Sequence, residues 1–328
     1  MTTDTLHAPG GFRLRDFRVE DLAALTDVLN ATYPDEPTTL AEQEHGERTY
    51  PTDNPRLRFA VENEAGEFVG FGQCMKPFWL DAPGVYTIYA VVSPQRRHRG
   101  IGQALMARLE PFCVTQGAQR IHAPGCREDS ADTICFLERA GYANIGVRFE
   151  QKLDLKAFDE SPFADVLQRV ADSGYTLTTL AAERAVRDDA DRALFAVADS
   201  VSPEVPLPGD VRIRLTYSDF VHSTLEGPGT DPAGIFIAKQ GQTYAGMTAV
   251  SVPQDGPAIT HATYVLPAHR RCGLALALKL LSFRFLVARG YTEARTHNDT
   301  VNPPILLLNK RLGYQRLPGW LVWEKRLS

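Results

Sequence analysis

Val91-Val92-Ser93-Pro94-Gln95-Arg96-Arg97-His98-Arg99-Gly100-Ile101-Gly102-Gln103-Ala104-Leu105 lies in the first half of a 328-residue chain. Tyr264-Val265-Leu266-Pro267-Ala268-His269-Arg270-Arg271-Cys272-Gly273-Leu274-Ala275-Leu276-Ala277-Leu278 repeats its plan in the second half. In each copy a β-branched or aromatic run meets a proline and a basic turn. Arg-x-x-Gly-x-(Gly/Ala) follows, then a strongly apolar helical pattern. The reading is strand, tight loop, helix start. Small residues let the backbone approach a ligand closely, and the opening N–H groups of the helix point at it. With the helix dipole and the flanking arginines, the site suits a pyrophosphate.

The surrounding elements repeat in the same order. Residues 12–15 read as a short strand, and Asp21 as the cap of a helix with Leu22, Leu25, Val28 and Leu29 on one face. A polar helix over 40–48 follows, then a hairpin of strands 58–61 and 68–75 around residues 62–66. A strand over 85–92 feeds the basic loop. The helix from Gly100 should stop near Gly117, with a kink or early end at Pro111. Strand 120–123, helix 130–140 and one or two closing strands over 142–153 complete the half.

In the second half the pattern predicts strand 175–177, helix 189–200, hairpin 234–239 and 243–252, and strand 258–265. A long helix from Arg271 to Gly290, strand 292–297, helix 303–312 and strand 321–326 follow. Gly100 and Gly273 are 173 residues apart, and Gly141 and Gly313, each in a Gly-Tyr corner, are 172 apart. One offset kept by two motifs makes duplication the economical reading. The expected domains are 1–155 and 175–328, joined by an acidic linker over 156–174 with one short helix.

Composition sets limits. A chain 44% hydrophobic and 23% charged is ordinary globular material, long enough for two domains. A net charge of −5 argues against nucleic-acid binding despite the local arginines. Residues 1–10 are polar and acidic with no apolar leader, and Lys279 and Arg284 interrupt the apolar run 274–288, so no membrane span is expected. Cys74, Cys113, Cys126, Cys135 and Cys272 lack metal or redox spacing and fit a reducing cytoplasm.

Arg-x-x-Gly-x-(Gly/Ala) after a strand, then helix, strand, helix and a Leu-Gly-Tyr or Ala-Gly-Tyr corner, resembles the GNAT superfamily of acetyl-CoA-dependent N-acetyltransferases. The double layout is similar to that of its tandem members, mycothiol synthase among them. The second half, with residues 296–302 and 308–314, reads as the closer match. The resemblance implies an α/β (α+β) fold of two tandem GNAT-like domains, each a mixed, mostly antiparallel sheet with helices on both faces. It implies acetyl-CoA (CoA) held in a V-shaped gap between the fourth and fifth strands of each. Backbone groups of Arg97, His98, Arg99, Gly100, Ile101, Gly102 and Gln103, and of Arg270, Arg271, Cys272, Gly273, Leu274 and Ala275, would hold the pyrophosphate. Ala90, Val91 and Val92, and Thr263, Tyr264 and Val265, would meet the pantetheine arm. Asn302 matches an asparagine that commonly meets the same arm, where the first half has Asp129 or Ser130. The tyrosine that protonates the leaving thiolate in many members is replaced by Leu137 and Asn309.

Amine acetylation needs a group to take the amine proton, because a free alkylamine has a pKa of roughly 10. His261, nine residues before Arg270 on the fourth strand, is the base candidate. Arylalkylamine N-acetyltransferases resemble this in carrying a histidine at the same spacing, whereas the first half has Ile88 there. The alternative is a histidine satisfied in the core or at the surface. His297 at the end of the next strand is a second candidate, with loop capping as its alternative. Tyr264 is a third, with packing as its alternative. No metal is required and no ligand cluster has metal spacing.

The expected partner is a small-molecule amine, with turnover mainly in the second half. The competing class is a CoA-binding scaffold or sensor in which one or both halves do not turn over. A tandem duplication is compatible with a monomer, and the sequence leaves the oligomeric state open.

Overall fold

Strand Val85–Val92 gains its antiparallel neighbour at Thr87, where it loses its parallel one. In the computed structural model, which describes residues 6–8, 11–253 and 257–327, it pairs with Phe68–Met75 from Thr87 opposite Met75 to Val92 opposite Gly70. On its other side it runs parallel to Arg120–Arg127 through Val85–Arg120, Tyr86–Ile121 and Thr87–His122 only. Beyond Thr87 the two strands part. Ala258–Val265 and Glu293–Asp299 behave alike, pairing through Ala258–Ala294, Ile259–Arg295 and Thr260–Thr296 before they diverge. The stretch 1–10, read as free of a leader, lies outside the described residues apart from Leu6–Ala8.

The chain divides into two units around these gaps. One comprises Met1–Phe78, Ala82–Gly146 and Trp320–Ser328, the other Trp79–Asp81 and Val147–Gly319. In the first unit the strand order is Leu6–Ala8, Phe12–Asp16, Arg56–Glu62, Phe68–Met75, Val85–Val92, Arg120–Arg127 and then residues 320–326. In the second it is residues 148–154, Glu293–Asp299, Ala258–Val265, Thr243–Ser251, Thr230–Gln240 and Thr176–Thr179. Each sheet is antiparallel except for the one parallel pair beside its gap. This is the mixed, mostly antiparallel architecture expected from the sequence.

The units depart from sequence order at their ends. Residues 148–154, which close the first half of the sequence, pair with Glu293–Asp299 in the second unit. Residues 320–326, which close the second half, pair with Arg120–Arg127 in the first. Both closing strands follow a Gly-Tyr corner, so local pattern does not distinguish a strand kept from a strand exchanged. The stretch 156–174 has its helix at Val166–Asp172, and Phe163, Val166 and Val170 are buried in the second unit's core.

Alternation along the strands distributes the helices. In the first unit Val61, Cys74 and Ile88 pack on one face against Leu105 and Leu109 of helix Ile101–Thr115. Ala60, Phe71 and Val91 pack on the other against Leu22, Leu25 and Val28 of helix Leu22–Thr32. In the second unit Phe236 and Ala238 face helix Leu274–Ala288, while Ile235 and Ile237 face helix Ala190–Val201. One local expectation fails, and of the two outcomes foreseen at Pro111 the early end does not occur. Asp21 precedes its helix, but its carboxylate accepts from the Arg18 N–H at 2.8 Å and from the Arg15 guanidinium at 2.7 Å instead of capping it. Pro111 does not end its helix, which continues to Thr115. The carbonyl freed by the missing N–H is that of Ala107, which is exposed to water.

Trp323, 3% exposed, sits in the first unit's core with Leu105 and Ile121 although it lies five residues from the chain's end. Trp323→Ala should destabilise that unit by about 3–5 kcal/mol. Hydrogen exchange should rise in 101–115 and 120–127, and unchanged exchange there would rule out the strand assignment. The same strand carries Glu324, whose carboxylate lies 3.2 Å from the buried His122 ring. Burial, outweighing the carboxylate, holds His122 below the ordinary imidazole value. Burial raises Glu324, but bonds from Arg326 and His122 outweigh it and leave the carboxyl low. Below roughly pH 6.5 the unfolded chain binds a proton that folded His122 resists, and Glu324 adds its loss as pH falls through its depressed value. The Tm should therefore drop on acidification from pH 7, with a smaller drop in a His122→Phe variant.

Candidate active site

Each loop is closed by the same two backbone turns. His98 and Gly100 have φ of 61° and 80°, and Arg271 and Gly273 have 65° and 81°. The guanidinium of each loop's first arginine folds back onto its own strand. Arg97 Nε donates to the Val92 carbonyl at 3.4 Å, and Arg270 Nε donates to the Val265 carbonyl at 3.1 Å. Arg270 also bonds Glu204 at 2.6 Å. These side chains therefore brace the loop, and its ligand-facing donors are backbone amides. The first N–H groups of helices Ile101–Thr115 and Leu274–Ala288 have no intrahelical acceptor. Placed after left-handed turns, they form a concave nest suited to an anion.

In the first unit this nest opens into a cleft of about 760 Å³. Of the first-half candidates, Ala90, Val91, Val92, Arg97, His98, Gly100, Ile101, Gly102 and Gln103 all line it, whereas Arg99 does not. Tyr33, at the start of the stretch 33–48 that the family resemblance marks as pocket lining, lines it too; Met106, Glu110, Gly125, Phe136 and Lys325 line it as well, and sequence reasoning missed them. Met106 and Glu110 were accessible to it, since they follow Gln103 at helical spacing. Lys325, from the far end of the chain, left no local signal. Glu110 accepts from Tyr142 Oη at 3.0 Å and from Lys325 Nζ at 2.7 Å, so the ammonium there is compensated. Tyr33 Oη donates to the Gly125 carbonyl at 3.3 Å, and burial raises its pKa.

The second gap differs in its wall. Ala249 pairs with Ala262 but Val250 pairs with Thr260, so His261 is the extra residue of a β-bulge. The matching pairing in the first unit, from Gly70–Val92 to Met75–Thr87, is regular. A bulge turns backbone groups out of the ladder and re-aims a side chain. His261 is exposed, and its Nε2 lies 2.8 Å from Ser251 Oγ. Thr263 Oγ1 is 2.9 Å from Thr248 Oγ1. Tyr264 packs at the edge of the core beneath helix Ala190–Val201, and burial raises its phenol. Cys272 is exposed and Leu274 buried.

The remaining candidates lie across the gap. His297 is half-buried on Glu293–Asp299. Asn302 begins helix Pro303–Arg311 without a side-chain cap bond. Asn309 is fully buried, and its Nδ2 donates to Gln151 Oε1 at 2.7 Å. Among the described residues no helix is long and apolar enough to cross a membrane.

Comparison with known proteins agrees with this geometry. The Acetyltransferase (GNAT) family model matches residues 22–142, which places that match in the first half rather than in the second, where the closer likeness was expected. The mycothiol acetyltransferase of Thermomonospora curvata is 27% identical over 226 residues, covering 69% of this chain and 69% of its own length. That of Clavibacter michiganensis subsp. michiganensis is 30% identical over 232 residues, covering 69% and 67%. The fold is shared with a tandem GNAT protein from the clavulanic acid biosynthesis pathway, at a TM-score of 0.72 and 19% identity over 96% of this chain and 98% of that one. The chain belongs to the GNAT acetyltransferase family.

The loop geometry separates two neighbouring glycines. Gly100→Ala should destabilise the protein by about 1–2 kcal/mol, because a Cβ is strained at φ 80°. Gly102 lies inside the helix, where a Cβ would meet only Phe136 at 3.4 Å. Gly102→Ala should stabilise by up to about 1 kcal/mol through helix propensity. Urea titration of both variants checks the opposite signs.

Proposed function

We propose that this chain transfers an acetyl group from acetyl-CoA to a primary amine of a small molecule, with turnover mainly in the second unit. The bulge at His261 is the observation that carries this reading. It offers backbone N–H groups to the oxygen on which charge develops, beside an imidazole able to accept the amine proton. The regular strand of the first unit offers Ile88 at that place, which favours donor binding without turnover there.

Both loops fit the donor. Their left-handed turns and opening helix amides suit its pyrophosphate, and the first cleft is large enough to bury much of a cofactor-sized molecule. The donor supplies an activated acyl group. The chain's own residues then orient the thioester along residues 261–265, exclude water from the gap, and remove the amine proton at His261 Nε2 directly or through Ser251 Oγ. The name of the relatives, mycothiol acetyltransferase, supports a small-molecule amine as acceptor. The Pro-, Gly- and acid-rich segments 202–208 and 224–232 favour a cationic one.

Gly100→Glu and Gly273→Glu should each remove one acetyl-CoA site, since a carboxylate would face the pyrophosphate. Calorimetry should give two sites in the intact protein and one in each variant. His261→Gln should lower kcat/KM for amine-dependent thiol release by about 10²-fold while leaving acetyl-CoA affinity unchanged. A silent His261→Gln, together with complete loss of acetylation in folded Gly100→Glu, would move turnover to the first unit.

A further inference from the structure

We propose that Lys279 is the group that neutralises and protonates the CoA thiolate released in the second unit's gap, a reading that rests on the function proposed above. Lys279 is the sixth residue of helix Leu274–Ala288, as Met106 is of helix Ile101–Thr115. Met106 lines the first cleft, so the repeated layout sets Lys279 on the gap-facing side of its own helix. It is 1% exposed, with Nζ 5.1 Å from the centroid of the Tyr314 ring. Among the described residues no carboxylate pairs with it. In the first unit Glu110 compensates Lys325, whereas Phe283 takes the corresponding helix position here.

A buried ammonium without a counter-ion costs several kcal/mol, and methionine would fill the place without that cost. Polar groups on Tyr314 and on the elements flanking the gap are also unfinished. Tyr314 Oη, Thr260 Oγ1 and Asn309 Oδ1 are all buried without a hydrogen-bond partner. Thr260 is the last residue paired across the sheet before the gap opens. The two hydroxyls can donate, alongside Lys279, to an anion arriving from the gap, whereas Asn309 Oδ1 can only accept. In acyl transfer that anion is the departing thiolate. Asn309, where the GNAT resemblance puts the proton-donating tyrosine, has no acidic proton to give.

Burial alone pushes Lys279 down to about 8. A thiol's ordinary value is about 8.5, so transfer between the two is close to balanced. As the amine nitrogen bonds to the carbonyl carbon, the C–S bond breaks with its electron pair on sulphur. A proton moves from Lys279 Nζ to that sulphur, while the amine's proton leaves separately through His261. Neutral Lys279 regains its proton from solvent once CoA has left.

The test compares intact protein with Lys279→Met, the residue used at this place in the first unit. Saturating either protein with CoA at neutral pH and recording the ultraviolet thiolate absorbance reads the pairing without any turnover. A thiolate signal in the intact protein that is lost in Lys279→Met, with acetyl-CoA affinity unchanged, supports the proposal. In turnover the same variant should lose about 10²-fold in kcat at constant KM. An unchanged kcat in Lys279→Met overturns it, as does a thiolate signal that survives in Lys279→Met with only a raised Tm. If the signal behaves as expected but no amine is acetylated, Lys279 keeps its anion-binding role and the proposed function fails instead.

Discussion

Two parallel strands that hydrogen-bond for three residue pairs and then part are the constraint on which each unit rests. A sheet that stops pairing midway exposes main-chain groups along both inner edges, and such groups need partners. Neither edge can be satisfied by the other once the strands diverge. The loop at the end of the first arm uses its left-handed turns to start a helix across the opening, which adds further unpaired amides at its mouth. The gap therefore offers polar main-chain groups along its length and a nest of backbone amides at one end.

The same frame carries different chemistry in its two copies. Ile88, Met106 and Leu137 of the first unit correspond by the repeat to His261, Lys279 and Asn309 of the second. At these three places apolar residues give way to titratable and amide groups, while the arginine braces and turn angles stay nearly identical. The loop was thus held constant across the duplication as the lining diverged. A surface that only retains a ligand tolerates apolar contacts, whereas one that moves protons requires groups that titrate.

Much of this was legible in the sequence because it is local. Proline, basic turn, glycine and apolar helix sit within fifteen residues, and the fixed offset exposed the duplication. Three features escaped for the same physical reason, that they belong to pairings between distant segments. Where the fourth strand bulges, at His261, is set only relative to Thr243–Ser251, whose register no local pattern states. The exchanged strands read correctly as strands, but their partners lie outside their own half. Lys279 looked like a charge interrupting an apolar run, and only packing shows that it is buried. At Pro111 only the early end is excluded, since the helix continues to Thr115 with Ala107, whose carbonyl the proline frees, at an exposed position.

The exchange of closing strands has a consequence for synthesis. A ribosome makes residues 320–326 after the whole of the second unit, yet the first unit's sheet and core are incomplete without them. The usual order, in which an N-terminal domain folds while the rest is still being made, is closed to this chain. Instead the second unit, which needs nothing beyond residue 319, has its full complement first. The amino-terminal half must wait as a partly built sheet with an open strand edge until residues 320–326 emerge. Selection on such a protein acts on the nascent chain as well as on the finished one, because a long-lived open edge is a template for the wrong partner.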